Sequence, residues 1–306
     1  MALQQLDNSN ISVHLGKTSE YKSQYDAGLL VREPRASNRK HLNIQDDALP
    51  FYGNDTWNAY EVSALTDSGL PVVGVGKIVY PCSSKYIVES KSIKLYFNSF
   101  NMTKLGTTAD DVRKNIAVIA SRDLSALLET DVNVRIFSNS EVIGEETTIT
   151  TEYMQDFETL EEMCNPGNVT VYQETPDLLQ IEEMSEGKYK FEARYHSALL
   201  KSNCRVTSQP DWGDVFIYYK GNRDVTPESL LRYIISFRDE CHFHEEICET
   251  IYKRLSDALQ PDELSVVCLY ARRGGIDINP ERVSREELLH GSLSNTAYPH
   301  IKTPKQ

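Results

Sequence analysis

The chain has 306 residues, 40% hydrophobic and 25% charged, which excludes a protein that is disordered, collagenous or coiled coil throughout and is enough to bury a sizeable core without disulfide or metal staples. Its net charge of −13 makes a nucleic-acid backbone a poor partner, although a nucleotide-sized ligand is compatible. No apolar run approaches the roughly 20 residues of a membrane span, the polar start MALQQLDNSNISVHLGK lacks a signal-peptide core, and the six cysteines form no CxxC pair, so free thiols in a reducing cytoplasm are expected.

Taken in chain order, residues 1–50 read as irregular, punctuated by Pro34 and Pro50. Residues 59–65 and 70–79 flank Asp67-Ser68-Gly69 and are expected to form a hairpin. Residues 109–129 read as a helix: Asp110 and Asp111 suit its first turn, and Val112, Ile116, Ile119, Leu124, Leu127 and Leu128 recur near helical spacing. Val132, Val134 and Ile136 alternate as a strand. Residues 141–187 hold 13 acidic residues and no Lys or Arg, while the rest of the chain balances at 32 acids and 32 bases; a solvated connection between two folded halves is expected there. Residues 191–198 and 215–219 then read as strands. Thr226-Pro227 opens a helix to about Glu240, and a second helix covers 243–259, stopped by Pro261. Leu264, Val266, Cys268 and Tyr270 alternate as a buried strand. Each half thus runs strands, helical material, strand, without a repeat at the residue level.

Four stretches carry candidate chemistry. Cys204 lies on a polar segment beside Lys201 and Arg205, and nearby positive charge favours the nucleophilic thiolate. Asp211, seven residues on, could return to it as a proton donor or acceptor. Phe243-His244-Glu245 opens the last long helix, where a His beside a carboxylate suits a proton relay or a base-recognition pair, and equally a charged first turn. Glu89-Ser90-Lys91-Ser92-Ile93-Lys94 alternates acid, hydroxyl and base; it could anchor a polar ring and phosphates, or be a salt-bridged surface strand. Arg272-Arg273-Gly274-Gly275 could hold an anion, since Arg suits bidentate phosphate contacts and Gly lets a ligand approach the backbone. No zinc spacing, GxGxxG or P-loop is present, and no metal is expected.

Together these stretches resemble one family. ESKSIKLYFNSF (89–100), SNCRVTSQPDWGD (202–214), LLRYIISFRDECHFHEEICETIY (230–252) and LSVVCLYARRGGIDINP (264–280), with LPFYGNDTWNAYEVSAL (49–65) before them, are similar in order and spacing to the motifs of the NADPH-dependent 7-cyano-7-deazaguanine reductases, the QueF family of queuosine biosynthesis, in its long two-module form. The resemblance implies an α+β chain of two tandem tunnelling-fold (T-fold) modules, each an antiparallel sheet with helices packed on one face. The first would span 1–140, an acidic connection 141–187, and the second 188–306. It implies Cys204 as the nucleophile that forms a covalent thioimide and Asp211 as proton donor, whose pKa must be raised or whose proton must be held for that task. Glu89 and Glu245 would bind the deazaguanine edge, with Val88, Ser90 and His244 beside them. Ser90, Lys91, Arg273 and Gly274 would contact NADPH, with Lys94 a further phosphate contact. It also implies a small-molecule substrate, a homodimer and the cytoplasm. Three other readings compete: a zinc-dependent purine or pterin enzyme of the same fold, a cofactor-free cysteine hydrolase, and a non-catalytic purine-binding module.

Overall fold

The structure, a computed structural model, describes residues 21–144, 156–183, 191–205, 207–299 and 306. The irregular reading of residues 1–20, and those parts of the acidic stretch at 145–155 and 184–187, lie outside the described residues.

In chain order the strands are β1 (Arg32–Pro34), β2 (Tyr52–Leu65), β3 (Pro71–Pro81), β4 (Tyr86–Val88), β5 (Asn133–Phe137), β6 (Glu158–Thr159), β7 (Ile181–Glu183), β8 (Phe191–Ser197), β9 (Lys201–Asn203), β10 (Pro210–Gly221), β11 (Arg223–Val225), β12 (Glu263–Tyr270) and β13 (Ile276–Val283). The helices are α1 (Ala36–His41), α2 (Ser90–Ser99), α3 (Ala109–Leu128), α4 (Asn139–Gly144), α5 (Leu160–Met163), α6 (Pro227–Ile235), α7 (His244–Leu259) and α8 (Gly291–Ser294). One sheet runs through the molecule in the order β5-β3-β2-β13-β12-β10-β8-β6, with β9 on β10. Its ladders are antiparallel except the short β6–β8 pair.

The long helices α3 and α7 cover one face, with α6 beside α7, and the sequence periodicity explains how. In α3, Val112, Ile116, Ala120, Leu124 and Leu128 fall four apart and are buried against Trp57, Ala59, Val62 and Ile78 of the hairpin. Thr108 and Asp111 close a reciprocal cap at its start. In the second half, Val215, Ile217 and Tyr219 of β10 and Leu264, Val266 and Cys268 of β12 face α6 and α7, while Phe216, Val267 and Leu269 point the other way, onto Leu293 and Phe157.

The seam between the halves is β13, which pairs with β2 from Ile276↔Ala59 to Val283↔Tyr52 and with β12 from Ser265↔Val283 to Val267↔Glu281. No strand was expected there. Pro280 argues against a central strand, yet it sits just past the point where the β12 ladder stops, so its missing N–H costs no bond.

Four other expectations change. Residues 32–41 are ordered, because Arg35 and Arg39 are drawn inward by buried carboxylates. Residues 90–99 form a helix, not a surface strand, because the Glu89 carboxylate caps them. The helix from Pro227 ends at Ile235 and continues as a 3-10 turn to Asp239. The described part of the acidic stretch is not simply solvated: Leu160 is fully buried in the second core, and Glu174 accepts from Tyr233 Oη at 3.0 Å and Arg254 Nε at 3.2 Å.

Candidate active site

A cavity of about 430 Å³ opens where the first turns of α2 and α7, the β9–β10 loop and the β12–β13 turn converge. That volume lies in the usual range for small-molecule sites. Val88, Glu89, Ser90, Lys91, Lys94, Cys204, Asp211, His244, Glu245, Arg273 and Gly274 all line it, brought together from four distant segments, whereas Arg272 stacks over the Tyr60 ring and does not line it.

Each segment is delivered by local structure. The β1–β4 pair carries Val88 to the wall, and the Glu89 N–H is held by the Val31 carbonyl at 2.9 Å. Glu89 is 1% exposed, and its carboxylate accepts from the backbone N–H of Lys91 at 2.9 Å and of Ser92 at 2.7 Å. It therefore caps α2 as well as facing the cavity.

Cys204 is half-buried on a tight loop. Its N–H donates to the Gln209 carbonyl at 2.8 Å and its carbonyl accepts from Ser208, the residue at φ 54 that reverses the chain. The loop is stitched to the start of α7: Asn203 N–H donates to the Glu240 carbonyl at 2.7 Å, and Arg205 reaches Glu246 at 2.8 Å. Lys201 is engaged by Asn203 Oδ1 at 2.7 Å and by the Arg238 carbonyl. Both cations beside Cys204 in sequence are thus committed to other partners.

Asp211, opposite Ser202 in the β9–β10 ladder, is 3% exposed. Arg273 Nη1 donates to its Oδ1, and His244 Nε2 lies 3.7 Å from its Oδ2. Burial pushes this carboxyl up, but the His244 and Arg273 contacts outweigh it and hold it below the usual carboxylate range. That differs from the expected raised pKa, and the cause is the His244 ring and the Arg273 guanidinium facing one buried carboxylate. His244 is itself fixed by the Tyr270 ring, with centroids 4.0 Å apart. The carboxylate it faces is Asp211, not the adjacent Glu245.

Glu245 is 2% exposed, and its Oε1 has no hydrogen-bond partner among the described residues. Burial pushes its pKa up to about 8, with Asp55 adding to the rise. A ligand with N–H donors would satisfy it.

The fourth corner is cationic. Gly274 adopts φ +56, and a Cβ there would stand 3.2 Å from Lys94 Nζ, so the glycine leaves room beside the lysine. Ser90, Lys91, Lys94 and Arg273 fit the phosphates of a dinucleotide. The α2 N–H groups at 91 and 92 are already taken by Glu89, so side chains would do most of the anion binding there. Among the described residues no group of three or more His, Cys, Asp or Glu is placed to hold a metal ion.

Sequence reasoning missed several wall residues. Gln209 was inside the quoted Cys segment, but nothing marked it as the acceptor for Cys204. Trp57, 1% exposed with its Nε1 unpartnered among the described residues, stood inside the quoted 49–65 stretch with nothing to mark it as a wall residue. Asp277 accepts from Asn58 at 2.6 Å and Asn279 at 2.7 Å, and was hidden with the unexpected β13.

The order of these motifs matches known families. Residues 21–136 match the family described as "Nitrile reductase, 7-cyano-7-deazaguanine-reductase N-term", and residues 210–288 match the QueF-like protein family, so the matches span more than half of the chain. The chain belongs to the QueF family. QueF proteins are nitrile reductases, hence oxidoreductases, and generally depend on NADPH. Among solved structures, the archaeosine synthase QueF-Like in its apo form aligns with 31% of this chain and 95% of its own, at 15% identity and a TM-score of 0.26. The described mixture of antiparallel sheet and helices is α+β, as expected for a QueF protein. No helix among the described residues is long and apolar enough to cross a membrane.

Proposed function

We propose that the chain reduces the nitrile of 7-cyano-7-deazaguanine to the primary amine of 7-aminomethyl-7-deazaguanine, in queuosine biosynthesis, with Cys204 as nucleophile and Asp211 as proton donor. One observation carries this: a single cavity of about 430 Å³ is lined by a cysteine, a buried Asp–His pair, two buried glutamates and a cationic, glycine-flanked corner. With this activity we also propose two tandem T-fold modules over 1–140 and 188–306 joined by the 141–187 connection, a small-molecule substrate, a homodimer and a cytoplasmic setting.

Glu245 and Glu89 accept the N–H donors of the deazaguanine edge, with Val88, Ser90 and His244 alongside. The Cys204 thiolate adds to the nitrile carbon and forms a C–S bond, giving a thioimide. Asp211, backed by His244, protonates the nitrogen as the triple bond opens. When bound at Ser90, Lys91, Arg273 and Gly274, with Lys94 beside them, NADPH supplies hydride. Nitrile to amine takes up two hydrides and two protons, so two NADPH are consumed. Cys204 leaves as thiolate after the first reduction, and the Glu245 and Glu89 contacts keep the imine in place for the second.

The test is NADPH absorbance after addition of 7-cyano-7-deazaguanine. Two NADPH consumed per nitrile by the wild type and none by Cys204→Ala is the expected result. Turnover by Cys204→Ala would sink the thioimide route. Covalent adduct without NADPH consumption would point to a cysteine hydrolase instead.

A further inference from the structure

Arg273 holds two elements of the reaction at once. Its Nη1 donates to Asp211, and its Nη2 donates to the Gln209 side chain at 3.0 Å. Through Gln209 it bears on the nucleophile, because the Gln209 carbonyl receives the Cys204 N–H at 2.8 Å. Asp211 is 3% exposed, whereas the Arg273 side chain keeps 38% of its surface exposed, so the acid lies inside and the guanidinium stands at the mouth. On its outer side Arg273 adjoins Gly274 and Gly275, both at positive φ, and Gly274 lies against Lys94. One guanidinium therefore stands between a buried carboxylate and the corner best suited to an anion.

We propose that Arg273 is an exchangeable counter-ion: without a bound anion it neutralises Asp211 and clamps the Cys204 loop through Gln209, and it turns to a phosphate group docked beside Lys94 and Gly274, leaving Asp211 to the substrate. This rests on the nitrile-reductase reading and extends it by making the acid responsive to the cofactor site.

The charge balance around Asp211 gives the direction. The titratable groups that face it are His244 from α7, Tyr270 from β12 and Arg273 from the turn after it, with Glu245 near Tyr270 in the same cavity. Withdrawal of Arg273 takes a permanent cation away from a buried carboxylate and leaves it the His244 contact. Desolvation then gains weight, and Asp211 holds a proton at higher pH, as a donor to nitrogen must. The same withdrawal frees the Gln209 side chain and loosens the loop around Cys204.

The experiment measures Cys204 adduct formation with 7-cyano-7-deazaguanine by intact mass across pH, with and without saturating NADP+, which cannot deliver hydride. Calorimetry checks that NADP+ binds. In the wild type, NADP+ should move the alkaline limb of adduct formation upward by about one pH unit or more. Arg273→Ala should show the raised limb without NADP+, and Arg273→Lys should restore the wild-type position and part of the response. A wild-type limb that stays put although NADP+ binds would overturn the proposal. So would an Arg273→Ala limb that coincides with the cofactor-free wild type. Absence of adduct in every protein at every pH would instead overturn the nitrile-reductase reading, and this proposal with it.

Discussion

Two glutamates one helical turn apart on α7 are equally buried and behave oppositely. Glu249 is surrounded by arginines: Arg39 at 2.8 and 3.0 Å, Arg282 at 2.9 and 3.2 Å, and Arg35 at 3.6 Å. Burial pushes its carboxyl up, but these cations outweigh it and hold it below the usual range. Asp55 completes the cluster, paired with Arg35 and Arg282. Glu245 has no such partner, and desolvation carries it up to about 8. The first carboxylate ties the segment before α1, α1, β2, β13 and α7 into one seam. The second faces the cavity from that rigid base. A buried charge whose partners are all protein serves architecture; one left unpartnered against a cavity awaits a ligand.

The largest effect should come from breaking the paired one. Glu249→Gln removes the carboxylate that three buried arginines share, leaving Arg35 and Arg282 to Asp55 and Arg39 to the half-exposed Asp46, and the loss should be roughly 3–5 kcal/mol, read from denaturant unfolding. Glu245→Gln should leave stability unchanged or raise it, because it replaces a buried ionisable group, whose Oε1 has no partner among the described residues, with a neutral one. It should weaken binding of 7-cyano-7-deazaguanine roughly 10–100-fold by calorimetry, the range for a hydrogen bond to a charged group. If Glu245→Gln unfolds the protein and Glu249→Gln spares it, the contrast between the two is wrong.

pH sharpens the same contrast. The Glu245 carboxyl starts from an ordinary 4.5 when unfolded and titrates near 8 when folded, so the native state holds the extra proton between those values. Stability is then greatest at the acid end of this window and declines as pH rises toward 8. Glu281 is also raised to about 8 by burial and adds to the decline. Glu245→Gln should therefore remove part of the slope of melting temperature against pH between about 5 and 8. An unchanged slope would mean that Glu245 is already ionised and partnered.

Strong periodicity was legible in the sequence; inverted polarity was not. The helix of α3, the β2–β3 hairpin, β10 and β12 each bury an apolar face at the expected period, and they appear where that period placed them. The burial of Arg35, Arg39 and Arg282 was not legible, because nothing local says that Asp55 and Glu249 will meet them inside. β13 escaped for the same reason: Asp277, Asn279 and Glu281 are 1% exposed each, a buried face written in polar letters. At the site, the residue types were legible as four motif segments, and the family resemblance related them to one another. The hold of Arg273 on Asp211 was not legible, since it joins positions 62 residues apart across two strands.

The smallest expected effect lies at His242, which lines the cavity and donates to Glu246 at 3.2 Å and Glu240 at 3.1 Å. Burial lowers its pKa, but the two carboxylates outweigh that and raise it to about 9. A raised histidine contributes stability that is fully present below its unfolded value of about 6.5 and is lost as pH rises through about 9. A third of the side chain is exposed, so solvent screening keeps the gain under about 1 kcal/mol. Its position gives it a second consequence. Glu240 and Glu246 are the residues that hold Asn203 and Arg205 on either side of Cys204. His242→Gln should cost little stability at pH 6 and nothing above pH 9. It should nevertheless speed alkylation of Cys204 by iodoacetamide severalfold at pH 7, because the loop loses one of its stays. An alkylation rate equal to that of the wild type would show that the Asn203 and Arg205 contacts hold the cysteine unaided.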